Sequence, residues 1–448
     1  MSVKSICCIG AGYVGGPTMA VIALKCPEIK VVVVDKNKDK INLWNGNLNK
    51  LPVYEPGLKE IISEVRGVNL FFSTDIDKAI NDSEMIFMAV NTPTKTKGEG
   101  AGMAADLSFV ESCAENIAKV SKSDKIVIEK STLPVRTAEK IKSILTTKGN
   151  GVNFEVVSNP EFLAEGSAIQ DLFKSDRVLI GGDPTTSGQN AVNALVDIYT
   201  NWIPKEKILT TNVWSSELSK LASNAMLAQR ISSINSLSAL CEETGAEISE
   251  VSQAIGMDHR IGPYFLKPSP GFGGSCFQKD ILNLVYLSRF YGLEEVAEYW
   301  LQVKKINDYQ RNRIGKIIIN SLSDSINKKV TILGWAFKKD TNDSRESSSI
   351  YISYYLLEKG CRLKIYDPKV SKRRIYMDLI ELNKSKKSLT EQIIKDSVEV
   401  IDNMDDAVNK TELVVILTEW DEFKSIKTNK KIIDTRNIVK DSMTYFKL

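Results

Sequence analysis

Cys276 and Asp280 lie four residues apart in the run GFGGSCFQKD, residues 271–280. Glycines before the thiol let backbone approach a ligand closely. A thiolate at Cys276 can add to a carbonyl carbon and divide one oxidation into two steps, and the nearby Lys279 favours that thiolate. Cysteine is also often a small buried hydrophobe, but the glycines and charged neighbours argue for chemistry here. The chain has a single histidine, His259, in the polar run Asp258–Gly262, and no role is assigned to it. Acid–base work therefore falls to Lys, Asp, Glu or water. Lys220 and Asn224 are four residues apart on an apolar helical stretch. A lysine there is usually a solvated face residue, but one turned into a cleft would lose proton affinity through desolvation and serve proton transfer. Asn224 would donate to a developing alkoxide. Asn159-Pro160-Glu161 reads as a helix start: N-cap, proline at the first helical position, acid in the first turn. Glu161 and Glu165 would then share one helix face.

A nucleotide site is expected at the other end of the chain. Gly10-Ala11-Gly12-Tyr13-Val14-Gly15 follows the apolar stretch Ser5–Ile9 and precedes a helical one. Such glycines allow a tight turn, close approach of a pyrophosphate, and tight helix–strand packing, with the helix N-terminus facing the phosphates. Asp35 ends the next strand, twenty residues after Gly15. A carboxylate there accepts from both ribose hydroxyls and repels a 2′-phosphate, favouring NAD over NADP. Lys36, Lys38 and Lys40 pull the other way, since lysines tolerate a phosphate. Val90-Asn91-Thr92-Pro93-Thr94 and Ser131-Thr132 end further strands, and ligands of open α/β sheets sit at strand carboxyl ends.

The elements that must hold these residues follow from periodicity. Strands are expected at Ser5–Ile9, Val31–Val34, Leu70–Phe72, Met85–Val90, Ile126–Glu129 and Phe154–Val157, spaced as βαβ units of a parallel sheet. A long helix from about Ser215 to Glu243 follows, then helices over Leu282–Gly292 and from Val296 past Arg313. Strands resume at Lys329, Cys361–Tyr366, Leu413–Leu417 and Lys431–Ile433. The expectation is an α/β chain: two Rossmann-like, doubly wound parallel-sheet domains joined by a central helical region, over residues 1–211, 212–325 and 326–448. At 448 residues, one core would not suffice. A net charge of +3 with dispersed signs argues against nucleic-acid or membrane partners. Seven irregularly spaced cysteines suit a reducing, cytoplasmic setting and match no metal-ligand spacing. The uncharged run Ser5–Leu24 is accounted for by strand, glycine turn and helix rather than by a leader.

Taken together, GAGYVGGPT (10–18), YEPGL (54–58), NTPTKT (91–96), EKSTLPVR (129–136), SNPEFLAEG (158–166), SSELSKLASNA (215–225), RISSIN (230–235), GFGGSCFQKD (271–280) and FKKDTNDSRESS (337–348) resemble, in order, the UDP-glucose/GDP-mannose dehydrogenase family, most of all its UDP-glucose branch. Asp434-Thr435-Arg436 adds a weaker match. The resemblance implies oxidation of UDP-glucose to UDP-glucuronate by two NAD and water, through a thiohemiacetal and thioester on Cys276. It implies that Lys220 and an Asp280-held water take the first proton, with Asn224 steadying the oxyanion. Glu161 would act as base for thioester hydrolysis, with Thr132 holding the water. It places UDP-sugar contacts at Glu161, Phe162, Leu163, Ala164, Glu165, Lys220, Asn224, Lys267, Phe272, Gly273, Phe337, Lys338 and Arg436. Arg260 would reach a neighbouring subunit's site, so at least a dimer through the central helices is expected, and a hexamer is compatible. NAD contacts would be Gly10, Ala11, Gly12, Tyr13, Val14, Gly15, Asp35, Lys40, Val90, Asn91, Thr92, Pro93, Thr94, Ser131, Thr132, Glu165, Cys276, Phe277, Gln278, Lys279 and Arg345.

Two departures stand against that pattern. Lys40 replaces an expected arginine, and Pro268 and Pro270 bracket Ser269 where small or aliphatic residues are expected, stiffening the loop. Rival readings are a sister enzyme acting on GDP-mannose or a UDP-N-acetylhexosamine, a two-electron hydroxyacid dehydrogenase, and a catalytically silent nucleotide-binding protein.

Overall fold

The computed structural model describes residues 3–149, 151–322, 328–409, 411–440 and 445–448. Two compact units divide between Ser223 and Asn224, inside the helix Val213–Thr244. The expected boundary at 325/326 lies outside the described residues.

The first unit is built on eight strands: β1 Ser5–Ile9, β2 Lys30–Val34, β3 Leu70–Ser73, β4 Met85–Met88, β5 Lys125–Glu129, β6 Phe154–Ser158, β7 Val178–Gly182 and β8 Ile208–Asn212. Their order is β3-β2-β1-β4-β5-β6-β7-β8, so the winding reverses between β1 and β4, where such sheets open a ligand crevice. Alternate residues feed two cores. Ile6 and Cys8 of β1 join one apolar cluster, while Cys7 and Ile9 join the other. Burial on both faces is why these strands read as unbroken apolar runs.

The six expected strands β1–β6 are parallel to one another, as the sequence predicts, but the sheet as a whole is not. β7 runs antiparallel to β6, through Ser158 opposite Gly181, and β8 then runs parallel to β7. Neither β7 nor β8 was among the expected strands. β8 is an exposed edge strand, and glycines weaken the strand signal of β7. A Cβ on Gly181 would collide with Ser216, so the glycine lets the long helix lie close.

The second unit carries the rest of that helix, then helices Ile248–Gly256, Phe277–Phe290 and Glu294–Asn320. The expected helix start at Leu282 moves back to Phe277, beside the cysteine. A six-stranded parallel sheet follows: β9 Lys329–Leu333, β10 Arg362–Tyr366, β11 Val398–Val400, β12 Leu413–Ile416, β13 Lys431–Asp434 and β14 Phe446–Lys447, in the order β11-β10-β9-β12-β13-β14. Ile314 and Ile318 of Glu294–Asn320 pack into its core. Among the described residues, no helix is long and apolar enough to cross a membrane.

One buried carboxylate ties the long helix to the segment after β5. Glu217 accepts backbone N–H groups of Arg136 (2.7 Å) and Ala138 (2.8 Å), at the start of helix Thr137–Lys148. Glu129, at the end of β5, is buried against it. Burial, then the neighbouring Glu217 carboxyl, pushes the Glu129 proton affinity well up. Burial likewise raises Glu217 to about 7, against the backbone N–H groups that oppose the shift. The folded pair therefore holds a proton that the unfolded chain releases near the ordinary glutamate value of about 4.3. Between there and about 7 the native state binds more protons, so stability falls as pH rises through that window. Glu129→Gln, which keeps the shape and a donor, should flatten the fall of melting temperature between pH 5 and 8. An unchanged slope would show that the pair does not titrate as described.

Candidate active site

The glycine turn after β1 is built around close backbone contacts. Gly10 has φ +116°, and a Cβ there would strike the Ala89 carbonyl after β4; one on Gly15 would strike the Gly10 carbonyl. A Cβ on Gly12 would meet nothing within 4 Å, so the middle glycine faces open space beside the helix N-terminus. Asp35 follows β2. Its carboxylate accepts the Ala11 N–H (3.1 Å), the Asn37 N–H (2.9 Å) and the Lys40 ammonium (2.8 Å). Burial works against the anion, but Lys40 and the two N–H groups outweigh it and hold the carboxyl below its usual range. Lys40 is thus drawn onto Asp35. Ser131 Oγ donates to the Val90 carbonyl (2.7 Å) and Thr92 Oγ1 to the Thr132 carbonyl (3.2 Å), tying together the rims after β4 and β5. Open space at Gly12 and a carboxylate closing β2 fit a dinucleotide diphosphate and its ribose.

The segment after β6 corrects the expected helix start. Residues 159–164 belong to no helix and the helix is Ala168–Phe173, so Glu161 and Glu165 do not share a helix face. Asn159 does not cap: its Nδ2 donates to the Leu179 carbonyl (2.8 Å), and its Oδ1 receives the Tyr199 hydroxyl (2.8 Å) and Lys130 Nζ (3.2 Å). The following loop is held by Glu55, whose carboxylate accepts Gly166 N–H (2.8 Å) and Ala168 N–H (3.1 Å). Glu161 then meets Lys220 of the long helix at 3.8 Å, with side chains only 10% and 5% exposed. The Arg177 guanidinium stacks on the Phe162 ring at 3.8 Å, and Lys220 Nζ lies 5.2 Å from that ring. Leu163 packs against the core and Ala164 N–H donates to Asp171.

In the second unit, Cys276 is the N-cap of Phe277–Phe290, half-buried, with its Sγ 3.5 Å from Ser275 Oγ. The positive end of that helix favours a thiolate. One turn on, Asp280 is 1% exposed and receives Asn224 Nδ2 at 2.6 Å, with Lys279 Nζ at 3.8 Å. Gln278 is half-buried on the same first turn. The preceding loop is gripped from Glu294–Asn320. Asn307 accepts the Phe272 N–H (2.8 Å) and donates to its carbonyl (3.2 Å); Arg311 donates to the same carbonyl (2.8 Å), and Gln310 to that of Ser269 (2.9 Å). Gly271, at φ +121°, is the point where Asn307 presses closest.

Near the ends of β9, β12 and β13, Arg436 donates to the carbonyls of Leu417 (2.8 Å) and Phe337 (3.2 Å) and pairs with Glu419 (3.2 Å). Lys338 lies alongside the Phe337 ring, and Gly273 packs against Phe337. Arg345 forms a fork onto Asp343 and is exposed, while Gly274 N–H donates to its carbonyl. Arg260, Lys267 and His259 are exposed; Arg260 pairs with Asp258 (2.6 Å), and the His259 side chain is 94% exposed.

Residues 4–203, 214–309 and 331–441 match, in turn, the NAD binding, central and UDP binding domains of the UDP-glucose/GDP-mannose dehydrogenase family. The chain belongs to that family. It is 58% identical over 439 residues to the UDP-glucose 6-dehydrogenase of Mus musculus, covering 97% of this chain and 88% of that one. It is 55% identical to UDP-glucose 6-dehydrogenase 3 of Arabidopsis thaliana, covering 97% and 93%. A UDP-glucose dehydrogenase structure from Pyrobaculum islandicum superposes with a TM-score of 0.84 at 30% identity, covering 99% and 96%.

Several side chains that hold these candidate residues within each unit were passed over by sequence reasoning. Lys130, Asn159, Tyr199, Arg177, Asn307 and Arg311 carry no spacing signal of their own. Asn307 offers a direct check, since Asn307→Ala leaves the Phe272 N–H without its buried acceptor. It should cost about 1–3 kcal/mol of stability, read as a lower denaturant midpoint. A midpoint within error of the unaltered chain would show that the clasp contributes nothing.

Proposed function

We propose that the chain oxidises UDP-glucose to UDP-glucuronate in two successive two-electron steps, with Cys276 holding the sugar between them. The observation that carries this reading is the thiol at a helix N-terminus, one turn from the buried Asp280–Asn224 pair at 2.6 Å. A two-electron hydroxyacid dehydrogenase has no use for that thiol. Relatives named UDP-glucose 6-dehydrogenase, at 54–58% identity, favour UDP-glucose over GDP-mannose or a UDP-N-acetylhexosamine.

NAD, when bound against Gly10–Gly15, Asp35, Lys40, Val90–Thr94 and Ser131, is the hydride acceptor of each step. In the first half, Lys220 and a water held by Asp280 take the C6 hydroxyl proton, while Asn224 and the Lys220 ammonium steady the oxygen. In the second, Cys276 Sγ bonds to the C6 aldehyde carbon, and the carbonyl oxygen takes a proton to give a thiohemiacetal. Loss of its C6 hydrogen as hydride, with release of the hydroxyl proton, leaves a thioester. Water, oriented by Thr132, attacks C6 and gives its proton to Glu161; the C6–S bond breaks and returns the Cys276 thiolate. Phe162–Glu165, Lys267, Phe272, Gly273, Phe337, Lys338 and Arg436 would bind the UDP-sugar, with Glu165, Cys276–Lys279 and Arg345 also bordering the cofactor.

The same reading assigns residues 1–211 to cofactor, 212–325 to self-association and 326–448 to UDP, in a cytoplasmic enzyme. Exposed Met226, Leu237 and Leu240 on one helix support a second copy packing there and bringing its Arg260 to the site. Light scattering should give at least a dimer mass, and a monomer at working concentration would refute that arrangement.

The decisive assay counts NADH. Two NADH per UDP-glucose are expected, and one would reject the four-electron reading. Cys276→Ser should lower glucuronate formation by on the order of a thousandfold or more, whereas normal product formation would remove the thiol from the mechanism.

A further inference from the structure

Two residues before Glu161, Asn159 holds a buried cation that the reaction scheme above does not use. Lys130 is the residue after β5, and it is 4% exposed. Its ammonium donates to Asn159 Oδ1 at 3.2 Å and reaches the Tyr199 hydroxyl at 3.4 Å, while Tyr199 itself donates to Asn159 at 2.8 Å. Asn159 stands two residues before Glu161. The titratable groups facing Lys130 are Glu161, Lys220 of the long helix, Cys8 of β1 and Tyr199 of helix Thr186–Tyr199.

We propose that Lys130 is a positioning residue for thioester hydrolysis, giving Glu161 a counter-charge that persists when Lys220 changes its protonation state. The need follows from the cycle. In the reading above, Lys220 gains and loses a proton, yet it is the cation 3.8 Å from Glu161. A carboxylate this far from water is costly to leave unpaired. A second ammonium, fixed by Asn159 and Tyr199, covers the interval in which Lys220 is neutral. It also orients the Asn159–Glu161 turn that aims the carboxylate. Burial lowers the Lys130 proton affinity to about 8, with Glu161 opposing that shift and Lys220 adding to it. The counter-charge is thus present below about pH 8 and lost above it.

This inference rests on Glu161 acting as the base for hydrolysis, and the test separates the two. Full-length enzyme is mixed with UDP-glucose and NAD, acid-quenched, and weighed intact for uronyl adduct on Cys276, alongside single-turnover NADH traces from pH 6 to 9. Lys130→Met should accumulate the adduct, with hydrolysis at least tenfold slower and the first hydride transfer changed by less than threefold. Lys130→Arg, whose charge does not titrate in this range, should hydrolyse normally below pH 8 and lose the fall in hydrolysis rate above it. Tyr199→Phe, a smaller change, should lower the midpoint of that fall or steepen it. Unaltered hydrolysis in Lys130→Met overturns the proposal. So does equal slowing of both hydride transfers and hydrolysis, the mark of a merely structural lysine, and so does an unchanged alkaline fall in Lys130→Arg. Glu161→Gln is run in parallel. If it traps no adduct, the assignment of Glu161 is what fails; if it does while Lys130→Met does not, Lys130 alone is excluded.

Discussion

Charge held out of water is the constraint to which the rest of the first unit answers. Lys220 and Glu161 meet at 3.8 Å with almost no solvent around either. Taking either charge out of water without the other would be costly, and each is the other's partner. The scaffold answers with fixed neighbours rather than with solvent. Ser216 Oγ bonds Ser158 Oγ at 3.1 Å, setting the long helix against the end of β6 one turn before Lys220. Asn159, next along from Ser158, uses its whole side chain on Leu179, Tyr199 and Lys130. Gly181 removes a Cβ so that the helix can approach. Sheet, helix and loop are thus adjusted to one another around a pair that tolerates little displacement.

The cysteine loop of the second unit obeys the same rule for backbone groups. A buried loop carries N–H donors that must find acceptors. Pro268 and Pro270 have none to satisfy, and the N–H between them, on Ser269, donates to Asn235 Oδ1 at 2.9 Å. The Ser269 carbonyl is taken by Gln310, and both backbone groups of Phe272 by Asn307. The two prolines, unexpected against the family pattern, therefore lower the number of donors the clasp must meet. They fix the approach to Gly271–Gly274, while Cys276 stays with the helix it caps.

Long periodic segments were legible in the sequence because packing on two faces or one leaves a period behind. The six strands β1–β6 and the helix Val213–Thr244 fall within a few residues of expectation. The candidate site residues could be named by type and order, and the structure sets Lys220 against Glu161 and Asn224 against Asp280. What could not be read was the use of each side chain. Asn159-Pro160-Glu161 has every local mark of a helix start, yet Asn159 spends its amide on partners twenty and forty residues away. Local propensity lost to a tertiary hydrogen-bond network. Lys130 was invisible for the same reason, since nothing near it in sequence says that its ammonium is buried.

That buried lysine also explains how a chain with one exposed histidine can manage its protons. An imidazole ionises near 6.5 in water, and burial lowers that further, so deep in a sheet crevice it would be neutral at every working pH. A lysine starts near 10.4, and burial brings it down toward the working range; Lys130, lowered to about 8, shows the size of the effect in this very layer. Carboxyls move the opposite way, as Glu129 and Glu217 do beside it. Lysines falling and glutamates rising converge on neutral pH from both sides. Burial thus brings Lys130 and the Glu129–Glu217 pair nearer working pH than solvent would leave them, where a buried histidine would gain nothing.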